Sequence, residues 1–164
     1  MSIDEHGAGS ALNLPDAEHT RALGERLATL LRPGDLVVLV GDLGAGKTTL
    51  TQGIGTGLGV RGQVASPTFI IARAHPSLGE GPDLVHVDAY RLGSLEEVDA
   101  LDLDSSLEDS VTVVEWGEGL VEHLSEDWLE VRLERPRGGE GAADARTARL
   151  LGHGPRWAGV ALPS

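Results

Sequence analysis

Eight consecutive residues, Gly41-Asp42-Leu43-Gly44-Ala45-Gly46-Lys47-Thr48, constrain this chain more than any other part of it. They follow the continuous apolar run Leu36–Val40 directly and lead into a stretch of helical character that reaches about Leu58. An apolar run of that length predicts a strand buried on both faces, which belongs to a sheet covered by helices. The eight residues fit G-x-x-x-x-G-K-[ST], in which successive backbone N–H groups curl around an anion and the lysine adds a point charge. Lys47 is the only lysine among thirteen basic residues; the others are all arginine. The loop therefore predicts a polyphosphate site in an α/β fold.

Composition narrows the setting. The chain has 164 residues, enough for one domain with its own core. Aromatic residues are only 3%, so Val, Leu, Ile and Ala must build that core. No cysteine is present, which excludes disulfides, zinc thiolates and thiol catalysis. The net charge of -13 opposes extensive direct contact with a nucleic-acid backbone, yet leaves room for a local phosphate pocket. No apolar run approaches the ~20 residues of a membrane span, and a cytoplasmic protein is expected. Residues 1–10 read as a flexible N-terminal tail and 153–164 as a C-terminal tail, around a single domain, 11–152.

Along the chain, Pro15–Leu31 reads as a helix with Leu23, Leu27, Leu30 and Leu31 on one stripe. Gly53, Gly55 and Gly57 weaken the helix after the loop, each by up to about 1 kcal/mol relative to alanine. Thr68–Ala74, Leu84–Ala89, Val111–Val114, Trp128–Leu133 and Ala145–Leu151 read as strands. Leu95–Leu107 reads as one or two short helices, and Arg137–Ala143 as a glycine-rich loop. Trp128–Leu133 alternates, with Leu129, Val131 and Leu133 inward and charges outward. Pro76–Pro82 is short enough for an antiparallel return. The expected fold is a three-layer P-loop α/β domain whose mixed sheet joins a parallel core to antiparallel strands.

The loop needs partners. Magnesium beside a nucleotide requires an acid, usually at the C-terminal end of a neighbouring strand, and Thr48 supplies a hydroxyl. Both Leu84–Asp88 and Val111–Glu115 are apolar strands that end in an acid. Spacing alone does not choose between Asp88 and Glu115, and Asp42 is a third candidate. Ser66-Pro67-Thr68 would sense a γ-phosphate through its hydroxyls or simply start a strand. No arginine is placed by sequence as a finger in cis. The six histidines have no metal-ligand spacing and read as structural or solvated.

Four segments occur in order: Gly41 to Thr49, Ser66-Pro67-Thr68, His86-Val87-Asp88-Ala89-Tyr90-Arg91-Leu92, and Glu115-Trp116-Gly117-Glu118. Together they resemble the TsaE (YjeE) family of small bacterial P-loop ATPases, over about Leu12 to Leu151. The resemblance implies ATP and Mg2+ as cofactors and a role in making threonylcarbamoyladenosine next to the tRNA anticodon. It implies TsaD-like and TsaB-like partners that hold the tRNA. It also implies Thr48 and Glu115 as magnesium ligands, Lys47 and Asp88 as further catalytic groups, and Ser66-Pro67-Thr68 as a switch. Nucleotide contacts would come from Gly41 through Thr49 and from Thr20 in the first helix.

Other readings use the same loop. A small-molecule kinase would need an arginine-rich lid, which the sequence lacks. A guanine-reading Asn-Lys-x-Asp motif is impossible, because the one lysine is already in the loop. A nucleotide-gated binding module, whose occupancy rather than hydrolysis matters, stays open.

Overall fold

A computed structural model describes residues 12–41, 46–60, 72–79, 81–88, 109–115, 126–134 and 145–163. Seven strands are present among them: β1 (Leu12–Leu14), β2 (Leu36–Val40), β3 (Ala72–His75), β4 (Asp83–Asp88), β5 (Ser110–Glu115), β6 (Trp128–Glu134) and β7 (Arg146–His153). Helix α1 (Ala17–Ala28) precedes β2, and α2 (Lys47–Leu58) follows it. The strands form one sheet in the order β1-β7-β6-β2-β5-β4-β3. β2 lies between β5 and β6, parallel to both, and β4 runs parallel to β5. β3, β7 and β1 add antiparallel edges. The expected mixed sheet is therefore present.

Burial explains the apolar strands. Leu36 through Leu39 are all buried, as is every residue of β5. Val37 and Leu39 of β2, Val111 and Val113 of β5, and Leu129, Val131 and Leu133 of β6 form one core with Leu23 and Leu27 of α1 and Leu50 and Ile54 of α2. Each such side chain contributes roughly 1.5–3 kcal/mol when fully buried.

Helix α1 is shorter than its apolar stripe. Asp16 caps it, its carboxylate accepting the His19 N–H at 2.9 Å. Beyond Ala28 the backbone tightens to three-residue hydrogen bonds, Leu30 to Leu27 and Leu31 to Ala28. The glycines of α2 have a use that helix propensity does not reveal. A Cβ on Gly53 would collide with the Arg21 carbonyl, and one on Gly24 would stand 2.7 Å from the Ile54 backbone nitrogen. The two helices touch backbone to backbone there, which only residues without a Cβ permit.

Residues 153–163, within the expected tail, are folded against the domain. Residues Pro155–Trp157 form a 3-10 turn, Trp157 is buried in the core, and Val160 and Leu162 pack on it. Arg156 donates to Asp35 through Nε (2.9 Å) and Nη2 (3.0 Å), and to the Leu30 carbonyl. The sequence hid this because one tryptophan amid Gly and Pro has no period, and Asp35 is 121 residues away.

Two smaller differences concern strands. β1 was not expected; three residues carry no readable alternation, and the strand exists through its pairing with β7. Glu130 of β6 is buried rather than outward, held by Arg132 Nε and with His153 Nε2 at 3.4 Å. Residues 95–107, 137–143 and the N-terminal ten lie outside the described residues.

Candidate functional site

Strand β2 delivers the chain to Gly41, and α2 takes it up again at Gly46. Gly46 has φ +100° as the residue before the helix, a left-handed conformation that suits glycine, and no side chain caps the helix there. A helix start with backbone donors and no side-chain cap favours an anion. Lys47 is buried, its Nζ donating to the Gly41 carbonyl at 2.6 Å. Thr48 and Thr49 are half-buried in the first turn, and the Thr51 hydroxyl donates to the Lys47 carbonyl. Asp42, Leu43, Gly44 and Ala45, like Ser66, Pro67 and Thr68, lie outside the described residues.

Glu115 ends β5 in register with Leu39 of β2, one strand from the loop. It is paired on its other side with Asp88, the last residue of β4. The parallel arrangement thus brings both acids to the same edge of the sheet as the loop. Glu115 is only 5% exposed, and its Oε2 is 2.7 Å from Nε2 of the fully buried His86. An ionised carboxylate only accepts hydrogen bonds, and with the carboxylate in that form Nε2–H is the donor of this contact. The reading of His86 as merely structural or solvated is therefore incomplete: it touches a candidate ligand. A His two residues before a strand-ending acid was the available signal, but its partner lies on another strand.

Thr20 and Arg146 close the other side. A Cβ on Gly46 would lie 3.8 Å from the Thr20 methyl and 3.7 Å from Arg146 Cγ. Thr20 is buried, its hydroxyl 3.4 Å from the Asp16 carbonyl. Arg146 Nη1 donates to the Ala145 carbonyl at 2.7 Å, so the guanidinium is anchored close to the loop. Sequence reasoning did not find Arg146. It opens a weak strand, and its position follows from pairing with Leu14 of β1.

The site thus gathers Gly41, Gly46, Lys47, Thr48, Thr49, Thr20, Arg146 and Glu115, with His86 behind Glu115 in the core and Asp88 beside it in the sheet. Its magnesium-type donors are a carboxylate and a hydroxyl, hard oxygens of the kind that ion prefers. Among the described residues no three His, Cys, Asp or Glu side chains cluster as a cage. An ion here would keep waters and phosphate oxygens, as magnesium commonly does.

A family profile described as "Threonylcarbamoyl adenosine biosynthesis protein TsaE" matches residues 14–142. This chain belongs to the TsaE family. A Streptomyces coelicolor TsaE, a tRNA threonylcarbamoyladenosine biosynthesis protein, is 66% identical over 139 residues, covering 84% of this chain and 93% of its own. A Bacillus subtilis relative with the same name is 40% identical over 119 residues, covering 72% of this chain and 73% of its own. The crystal structure of YdiB from Bacillus subtilis superposes with a TM-score of 0.68 at 29% identity, across 91% of this chain and 88% of that one. The TsaE match spans α1, the loop, Asp88 and Glu115; Arg146 and the folded C-terminal segment lie beyond it. No helix among the described residues is long and apolar enough to cross a membrane.

Proposed function

We propose that this chain is a magnesium-dependent ATPase that supports threonylcarbamoyladenosine formation in tRNA, acting with TsaD-like and TsaB-like partners. One observation carries the reading: β2 and β5 end side by side, so that Lys47 in the loop and buried Glu115 share one edge of the sheet. The family to which the chain belongs supplies the tRNA context.

Within this reading, Lys47 exchanges the Gly41 carbonyl for β- and γ-phosphate oxygens. Thr48 and Glu115 would hold magnesium, which when bound neutralises charge building between the β- and γ-phosphates. Glu115 or Asp88 also orients the attacking water. Thr20 and Arg146 flank the nucleotide on the β7 side, opposite Glu115. The sequence offers no obvious arginine finger in cis, and on this reading the chain alone hydrolyses ATP slowly. A partner that supplies such a charge accelerates it, by up to ~10³–10⁵ for an arginine finger.

Thermal unfolding with Mg-ATP, Mg-ADP and Mg-GTP tests the ligand class. Ligand at 100 times its dissociation constant adds about 2.7 kcal/mol, which at this size raises Tm by about 5–10 °C. The expected result is a shift with adenine nucleotides, absent in Lys47→Ala. A folded sample indifferent to millimolar Mg-ATP overturns the proposal.

A further inference from the structure

His86 stands among apolar neighbours in the middle of β4, with Leu84, Val85 and Val87 all buried beside it. Its Nε2 contacts Glu115 at 2.7 Å, and its Nδ1 has no hydrogen-bond partner among the described residues. A buried ring nitrogen without a partner is unfavourable, so a leucine here would pack with less cost if packing were the only requirement. The contact with Glu115 is what distinguishes histidine from leucine at this position.

The register shows how the contact arises. His86 is opposite Val113, and Glu115 is two residues further along β5, so the imidazole reaches diagonally across the parallel pair. Residues two apart on a strand share a face. One carboxylate oxygen is thereby engaged from inside the core, and the other is left for a ligand at the strand end. Imidazole is a poor donor to magnesium compared with oxygen, and His86 already spends its N–H on Glu115, so a direct ligand role does not fit.

We infer that His86 is a positioning residue: its Nε2–H holds the Glu115 carboxylate in the one orientation that receives magnesium with the nucleotide. This role rests on the assignment of Glu115 as a magnesium ligand. Outer partners that orient ligating groups typically carry about 10–100-fold of metal affinity.

The test uses the full chain and ADP, measuring affinity by calorimetry across a magnesium series and again in EDTA. His86→Leu and His86→Asn, which cannot present a donor at the Nε2 position, should bind ADP in EDTA within about twofold of wild type. They should need about 10–100-fold more magnesium to reach full affinity. His86→Gln, whose amide reaches the Nε2 position, should recover most of the response. If His86→Leu fails to fold, His86→Asn carries the same expectation. An unchanged magnesium response in a folded variant overturns the role of His86, as does an equal loss with and without metal, which marks packing alone. A wild-type chain that binds ADP without any magnesium response overturns the metal assignment of Glu115 first, and the role of His86 falls with it. A wild-type chain that binds no nucleotide at all overturns the ATPase proposal itself.

Discussion

The ammonium of Lys47 is held by the carbonyl of Gly41, 2.6 Å away, so the last charged residue of the loop closes on its first glycine. The contact keeps a buried cation hydrogen-bonded. On the proposed ATPase reading, Lys47 leaves this carbonyl to bind a phosphate. Lys47→Ala should leave the fold intact, with near-native Tm, and remove the nucleotide-dependent rise in Tm. A variant that still shifts with Mg-ATP as wild type does would show that Lys47 is not the phosphate-binding cation.

Arg146 anchors beside Gly46 on the opposite flank from Glu115. If it meets the nucleotide there, it meets a part common to ATP and ADP. Arg146→Gln should weaken both nucleotides alike, by about 10–100-fold, the size of a lost charge-assisted hydrogen bond of about 1.5–3 kcal/mol. Fluorescence titration with each nucleotide distinguishes this from loss of ATP alone, which would place Arg146 on the γ-phosphate.

Gly53→Ala sets two effects against each other. Helix propensity alone would favour alanine by up to about 1 kcal/mol. The Cβ would instead strike the Arg21 backbone, which cannot rotate away as a side chain would. Overpacking should win, costing about 1–3 kcal/mol, or roughly 2–4 °C in Tm per kcal/mol. Gly79→Ala, whose Cβ meets nothing within 4 Å, is the control and should stay within about 0.5 kcal/mol of wild type. Urea unfolding of both variants reads the difference.

Trp157 joins the C-terminal segment to the core, with the Arg156 guanidinium 4.3 Å from its ring centroid and tied to buried Asp35. Trp157→Ala should cost about 3–5 kcal/mol in urea unfolding. A change near zero would mean that the segment adds nothing to the stability of the domain.

The local pattern was sufficient wherever neighbours in sequence are neighbours in space. The run Leu36–Val40, the glycines before Lys47 and the stripe of Leu23 and Leu27 each announce their element, because strand burial, loop curvature and helix periodicity are set by adjacent residues. Glu115 and Asp88 were legible as strand-ending acids for the same reason. Their side-by-side register, the hold of His86 on Glu115, Arg146 against Gly46 and the bond from Arg156 to Asp35 all join residues far apart in the chain. Those contacts exist only once the sheet has chosen its strand order, since spacing along a chain carries no record of which strand will lie beside which. The glycine-rich motif is thus a property of the amino-acid order, whereas the set of side chains around it is a property of the folded sheet.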